Sequence, residues 1–336
     1  MQIRAGWKAH SKTSSRVHAR RVDVNIKCWV FRSSLSWTTL IMQRALFEGR
    51  FYQTYYFANA ITNVLRNQFE YLRDLNDFYG DDKYLALVRP FSKYSALHCF
   101  IEFVIDAIIS DEINDIKLDI RQDQASSKEN FIGDFGELHS SILPINEALT
   151  YYGIKHITFQ DWLKEHGKDF QEARDDDVSD YYIDLRLEGE LDSLLEKAVQ
   201  EVFFVIFQNR QLLLLFNEMM ASQVAEVQLS DVSDIDKEYQ EYFASPGILK
   251  RVNIPKWVKR AVYYRDRGLC TICHCDLSGE LNISNREHYD HIVPLAKGGL
   301  NDVSNIQLLC QDCNLKKRGV EITTSDFYEN WYSMTE

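Results

Sequence analysis

The sequence predicts a mainly α-helical chain that ends in a small α+β unit. Three observations carry this. Apolar residues recur at three- and four-residue intervals through most of residues 42–249, the period of a helix with one buried face. Ser245-Pro246-Gly247 and Pro255, in "ASPGILKRVNIPKW", interrupt that pattern over 244–257 and mark a linker. Beyond it, two Cys-x-x-Cys pairs enclose a strand-like stretch, a Gly-Gly turn and a second short apolar run. With 336 residues, 45% of them hydrophobic, the chain can bury a real core and has room for two or three domains. The expected division is a basic segment at 1–41, an acidic helical region at 42–245, the cysteine-bearing unit at 250–320 and an acidic tail at 321–336.

Each element follows from local pattern. Residues 1–41 are Arg- and Ser-rich and weakly patterned; they read as a basic arm for phosphates, a transit-like leader, or an extension upstream of Met42. From Met42 to Tyr79 the helical period runs on as one long helix or two. "SALHCFIEFVIDAII" at 95–109 is apolar on most sides, as a core helix is, whereas 115–137 reads as a loop. "ITFQDWLKEHGK" contains a short helix with Gly167 as its stop, and "ARDDDVSD" lacks the glycine and final glutamate of a calcium loop, which leaves it a solvated charge run. Helices return at 183–226 and 233–244. The most apolar stretch, "VFFVIFQNRQLLLLF" at 202–216, is broken by Gln208-Asn209-Arg210, so it is a buried helix and not a membrane span. No secretory leader is visible, and a cytoplasmic protein is expected.

Charge is unevenly distributed. Residues 1–41 carry 8 Lys/Arg against 1 acid, 42–249 carry 18 against 38, and 250–320 carry 12 against 7. The helical region is therefore a poor platform for nucleic acid, and suits a protein partner or self-association. The C-terminal unit is locally basic, and binding depends on the charge of the face that docks.

Five of the seven cysteines fall between 270 and 313. Such clustering points to metal and not to a disulfide framework. Cys270, Cys273, Cys310 and Cys313 supply two thiolate pairs, and two-residue spacing lets one tight turn aim both sulfurs of a pair at one ion. Zinc fits four such ligands; the closed site would hold structure and leave no position for substrate. Cys275 is an alternative to Cys273 but reads as a bystander, because Cys-x-Cys turns are rarer at structural zinc; His274 reads as a solvent-facing turn residue.

Between the pairs runs "REHYDHIVPLAKGGLNDVSNIQLLCQDCNLKKRG". Asp290-His291-Ile292, Pro294, Gly298-Gly299, Asn305, Leu309-Cys310, Cys313-Asn314 and Lys317 occur in the order and spacing of the HNH endonucleases. Residues 250–320 thus resemble that family, whose fold is a ββα-metal unit, and the resemblance covers about a fifth of the chain. It implies metal-dependent hydrolysis of DNA phosphodiesters that leaves 5′-phosphate ends. The family often has His at the last motif position; here it is Asn314. A large unrelated domain joined to such a nuclease also resembles restriction or anti-phage effectors.

The residues suit this chemistry. His291, with an ordinary pKa near 6.5, is mostly neutral at cell pH and fits a general base. Asp290 and Asn314 offer hard oxygens, which suit Mg²⁺ or Mn²⁺. The resemblance gives Asn305 the role of bracing the loop and orienting His291. Successive strand residues face opposite ways, so Asp290 and His291 share one site only at a strand end or twisted edge; His288 is placed to face the same side as Asp290 and to touch phosphate or metal. Arg265, Arg267, Lys316, Lys317 and Arg318, with Lys256, Lys259 and Arg260, are the expected phosphate contacts. The competing reading is a non-catalytic zinc-stabilised module that binds nucleic acid or protein; a homing or packaging nuclease fits the long acidic region less well.

Overall fold

A computed structural model describes residues 44–48, 52–115, 119–121, 139–140, 142–227, 237–279, 287–319 and 321–325. The 1–41 segment lies outside these residues, as do all of 122–138 and the acidic tail beyond Ser325. The chain is mainly helical, with a small α+β unit at the C-terminal end, as its periodicity predicts.

The first departure comes at once. Residues Arg44–Glu48 form a strand, β1, between β2 (Asp119–Arg121) and β3 (His139–Ser140) in an antiparallel sheet. Short apolar runs read equally as strand or helix, and here pairing decides. The helical stripe starts only with α1 (Thr54–Arg66), whose Phe57, Ala58, Ile61, Val64 and Leu65 share the buried face. The short α2 (Leu72–Tyr79) leads through a 3₁₀ turn to α3 (Ala96–Asp115), where Leu97, Phe100, Ile101, Val104 and Ile105 are fully enclosed.

After α4 (Pro144–Tyr151) and α5 (Phe159–Glu165) come three long helices: α6 (Asp175–Glu188), α7 (Glu190–Gln208) and α8 (Arg210–Ala225). The acidic run is the first turn of α6, where Asp175, Asp176 and Asp177 face the positive end of the helix dipole. Gly189, at φ 89, makes the left-handed turn into α7. Along α7 the buried Leu191, Leu194, Leu195, Ala198, Val199, Val202, Phe203 and Ile206 follow a three-four rhythm against α1, α3, α6 and α8. Asn209 breaks this apolar stretch as expected, and its side chain caps α8 by accepting from Leu212 N at 3.1 Å. Among the described residues no helix is long and apolar enough to cross a membrane.

The expected linker is ordered structure. After a short α9 (Lys237–Gln240), Phe243–Ser245 (β4) and Ile248–Leu249 (β5) form a hairpin around Pro246-Gly247. α10 (Lys256–Arg265) then begins behind Pro255. The α+β unit pairs β6 (Glu287–His291) with β7 (Ile306–Cys310) and ends in α11 (Gln311–Lys317).

This unit packs into the helical body through buried polar contacts. Asp302 accepts from Ala96 N, the first residue of α3, at 2.9 Å, and from the Ser304 hydroxyl at 2.7 Å. Asn217 of α8 donates to the Ser304 hydroxyl at 3.2 Å. Arg210 of α8 reaches Asp266 at 3.1 Å, and Arg265 grips the same carboxylate at 2.8 and 2.9 Å. Asp266 also accepts from Leu308 N. Both arginines and Asp266 are nearly inaccessible to solvent. Removing the one anion strands two cations. Asp266→Ala is expected to cost about 3–5 kcal/mol, read as a loss of unfolding free energy in a denaturant titration.

Candidate functional site

The β6–β7 hairpin is joined by a loop that turns on two glycines. A Cβ on Gly299 would lie 2.0 Å from Val293 O, and one on Gly298 2.4 Å from Ala221 O of α8, so neither position accepts a side chain. Asn305 closes this loop. Its amide donates to Val293 O and Leu300 O, both at 2.9 Å, and its oxygen accepts from Val293 N at 2.8 Å. These bonds brace the chain beyond the strand, but the Asn305 side chain does not reach the His291 imidazole. Asn301 does, with its Oδ1 3.3 Å from His291 Nε2. In a polar turn an asparagine at 301 looks generic, and the sequence carries no signal for it.

Asp290 and His291 close β6, where the strand gives way to the loop. Lys317, on the last turn of α11, donates to Asp290 Oδ2 at 2.7 Å and also to His291 O. Its ammonium thus ties the helix to the strand end. Asp290 Oδ1 makes no hydrogen bond among the described residues and remains available to a cation. His291 is 2% exposed, and its Nδ1 has no hydrogen-bond partner among the described residues. Burial lowers its pKa to about 4, with Arg251 and Lys317 adding to the depression and Asp290 opposing it. At neutral pH the imidazole is therefore neutral, the form a base requires.

Asn314 lies half-buried in α11, its Nδ2 3.5 Å from His288 Nδ1, and His288 Nε2 is buried without a partner among the described residues. One carboxylate oxygen, one amide oxygen and one imidazole nitrogen on neighbouring elements are a donor set that fits a divalent ion. Such ions tolerate the Lys317 pairing because a carboxylate has two oxygens.

Two expected phosphate contacts lie elsewhere. Arg265 is 3% exposed and spends its guanidinium on Asp266 and Ile306 O. Lys317 is 2% exposed and is consumed by Asp290. Neither reaches solvent, so neither lines a DNA path. Arg267, Lys316 and Arg318 are exposed, as are Lys256, Lys259 and Arg260.

The thiols converge, with one change of membership. The ligand atoms of Cys270, Cys273, Cys275 and Cys310 all lie within 4.8 Å of one another. Cys273 Sγ and Cys310 Sγ are 3.7 Å apart; sulfurs about 2.3 Å from a tetrahedral zinc stand about 3.8 Å apart. Cys275 is no bystander. His274 adopts φ 61, and the chain folds back so that Cys270 N donates to Cys275 O at 3.0 Å. Cys313 lies beside this group, its N–H donating to Cys310 Sγ at 3.4 Å. Burial, and then the neighbouring sulfurs, push the Cys275 and Cys313 thiols up. Four sulfurs thus converge where a zinc ion would take four ligands, with Cys313 beside them as the alternative to Cys275.

Against known proteins, the family model of the HNH endonuclease matches residues 270–319. No curated protein and no solved structure matches the chain significantly. The matched segment holds both strands, the Gly-Gly loop, α11 and the thiol cluster, so the C-terminal unit is an HNH endonuclease domain. Such a domain implies a divalent metal and a nucleic-acid substrate.

Two measurements follow from this geometry. Metal analysis of the purified chain is expected to give one zinc per chain, lost in Cys310→Ser together with a lower melting temperature; Cys275→Ser and Cys313→Ser identify the fourth ligand by which of them releases zinc. The second concerns acid. His291 and His98 both sit at about 4 when folded against 6.5 ordinarily, in each case chiefly through burial. Below about pH 6.5 the unfolded chain takes up protons that the folded chain refuses, so stability falls from there to about pH 4 and is insensitive to these groups above it. Urea midpoints measured at pH 7.5, 6 and 5 are expected to decline in that order.

Proposed function

We propose that this protein is a metal-dependent DNA endonuclease, with His291 as general base and Asp290 and Asn314 holding the catalytic Mg²⁺ or Mn²⁺. The observation that carries the reading is a neutral imidazole beside a pinned carboxylate, inside the segment that matches the HNH endonuclease family. A bound divalent ion would neutralise charge on the phosphate and on the leaving oxygen. His291 takes the proton of the attacking water. Lys317 holds Asp290 in place through Oδ2 and leaves Oδ1 as the atom that would hold a divalent ion, and Asn305 fixes the loop that follows the base. Exposed Arg267, Lys316 and Arg318 anchor backbone phosphates without reading sequence.

Because His291 is 2% exposed, a phosphodiester reaches it only when residues covering it move. That requirement gives the helical region a role. Its contacts to the loop through Phe91, Ala96 and Asn217 support a role in regulating access, in response to a protein partner or to a second copy of the chain. A large unrelated region joined to a nuclease also suits a restriction or anti-phage effector. The sealed imidazole favours one rival, a zinc-stabilised binding module without catalysis.

Plasmid nicking separates the two. With Mg²⁺ or Mn²⁺ the wild-type chain is expected to relax supercoiled DNA, and His291→Ala to lose on the order of 10²- to 10⁴-fold in rate while still retarding DNA on a gel. Equal nicking by both forms, or none by the wild type in any divalent ion, would leave the binding module standing.

A further inference from the structure

Asn301 sits in the loop between Gly299 and Asn305, and three of its polar atoms are engaged. Its Nδ2 donates to Lys250 O at 2.9 Å. A backbone carbonyl only accepts, so this bond fixes which end of the side-chain amide is nitrogen. Oδ1 is therefore the atom that lies 3.3 Å from His291 Nε2. An amide oxygen also only accepts, so Nε2 must carry the hydrogen of a neutral ring. The lone pair is then on Nδ1, the buried atom with no partner among the described residues. The backbone of Asn301 is held as well, because its carbonyl accepts from Phe91 N at 2.7 Å.

We propose that Asn301 is a positioning residue that locks His291 in its Nε2–H tautomer and so makes Nδ1 the atom that takes the proton from the attacking water. The proposal rests on the endonuclease reading of the same site. In the step, the Nδ1 lone pair forms a new N–H bond as a water O–H bond breaks. The water oxygen bonds to phosphorus, and the bond from phosphorus to the leaving oxygen breaks with its electron pair going to that oxygen, which solvent protonates. The imidazolium that results keeps its Nε2–H on Asn301 Oδ1. Asn305 cannot do this work, since its amide is spent on Val293 and Leu300.

The test reads the tautomer directly. The full-length chain is labelled with ¹⁵N-histidine, and His291→Gln identifies the ring among the nine histidines. The wild type is expected to show a protonated Nε2 and a bare Nδ1. Asn301→Leu, similar in size and without an acceptor, is expected to lose that preference, and its kcat for nicking to fall on the order of 10²-fold with KM little changed. Asn301→Asp restores an acceptor toward the ring but cannot donate to Lys250 O, so it should recover the tautomer and most of kcat. A merely structural role would leave it as impaired as the leucine variant. A protonated Nδ1 in the wild type, or an unchanged ring in Asn301→Leu, overturns the proposal. The expected tautomer in a chain that nicks no DNA in any divalent ion leaves the role of Asn301 in place and removes the endonuclease reading.

Discussion

The contact on which the site depends is the buried pair of Lys317 and Asp290. A lysine with 2% exposure is costly unless its charge and its protons are all answered. Here a carboxylate and a backbone carbonyl on β6 answer the charge and two of the three protons, and both belong to the two residues at the strand end. The ammonium therefore sets how α11 lies across the hairpin. It also settles the problem of two neighbours facing opposite ways. Asp290 points to the helix that carries Asn314, and His291 points to the loop that carries Asn301. One strand end thus presents a carboxylate and an imidazole to different partners.

At the other end of α11, sulfur does the equivalent work. Cys310 ends β7 and its Sγ accepts from Cys313 N, so the thiol cluster starts the helix that Lys317 finishes. The helix spans only Gln311–Lys317, too short to be stable by itself. It is held at both ends by side chains that look outward from it, and Asn314 lies between those ends.

Much of this is written in the order of the residues. Paired cysteines, Asp290-His291, the glycine turn and Asn305 are separated by fixed distances, and local spacing is what a sequence displays. What it hides is decided by folding back in space. Cys275 joins the sulfurs because His274 takes a left-handed turn, which a histidine rarely signals. Arg265 and Lys317 look like phosphate contacts because arginine and lysine are usually exposed, and only the tertiary positions of Asp266 and Asp290 bury them. The Arg44–Glu48 strand is invisible for a related reason: its partners lie more than seventy residues away along the chain. Asn301 resembles any other turn asparagine until the carbonyl of Lys250 and the ring of His291 stand on either side of it.

The carboxylate of Asp302 has a wider consequence. It sits on the first backbone N–H of α3, the helix at the centre of the body, although it belongs to the loop between β6 and β7. Ser95 caps this start in the ordinary way, its hydroxyl accepting from His98 N at 3.4 Å, and Asp302, about two hundred positions downstream, adds an acceptor for Ala96 N. The two halves of the chain therefore finish one another. A cassette cut at the hairpin of Phe243–Leu249 would carry away that second acceptor and leave the first N–H of α3 without it, so this module is not freely portable between proteins in the manner of a bead on a string.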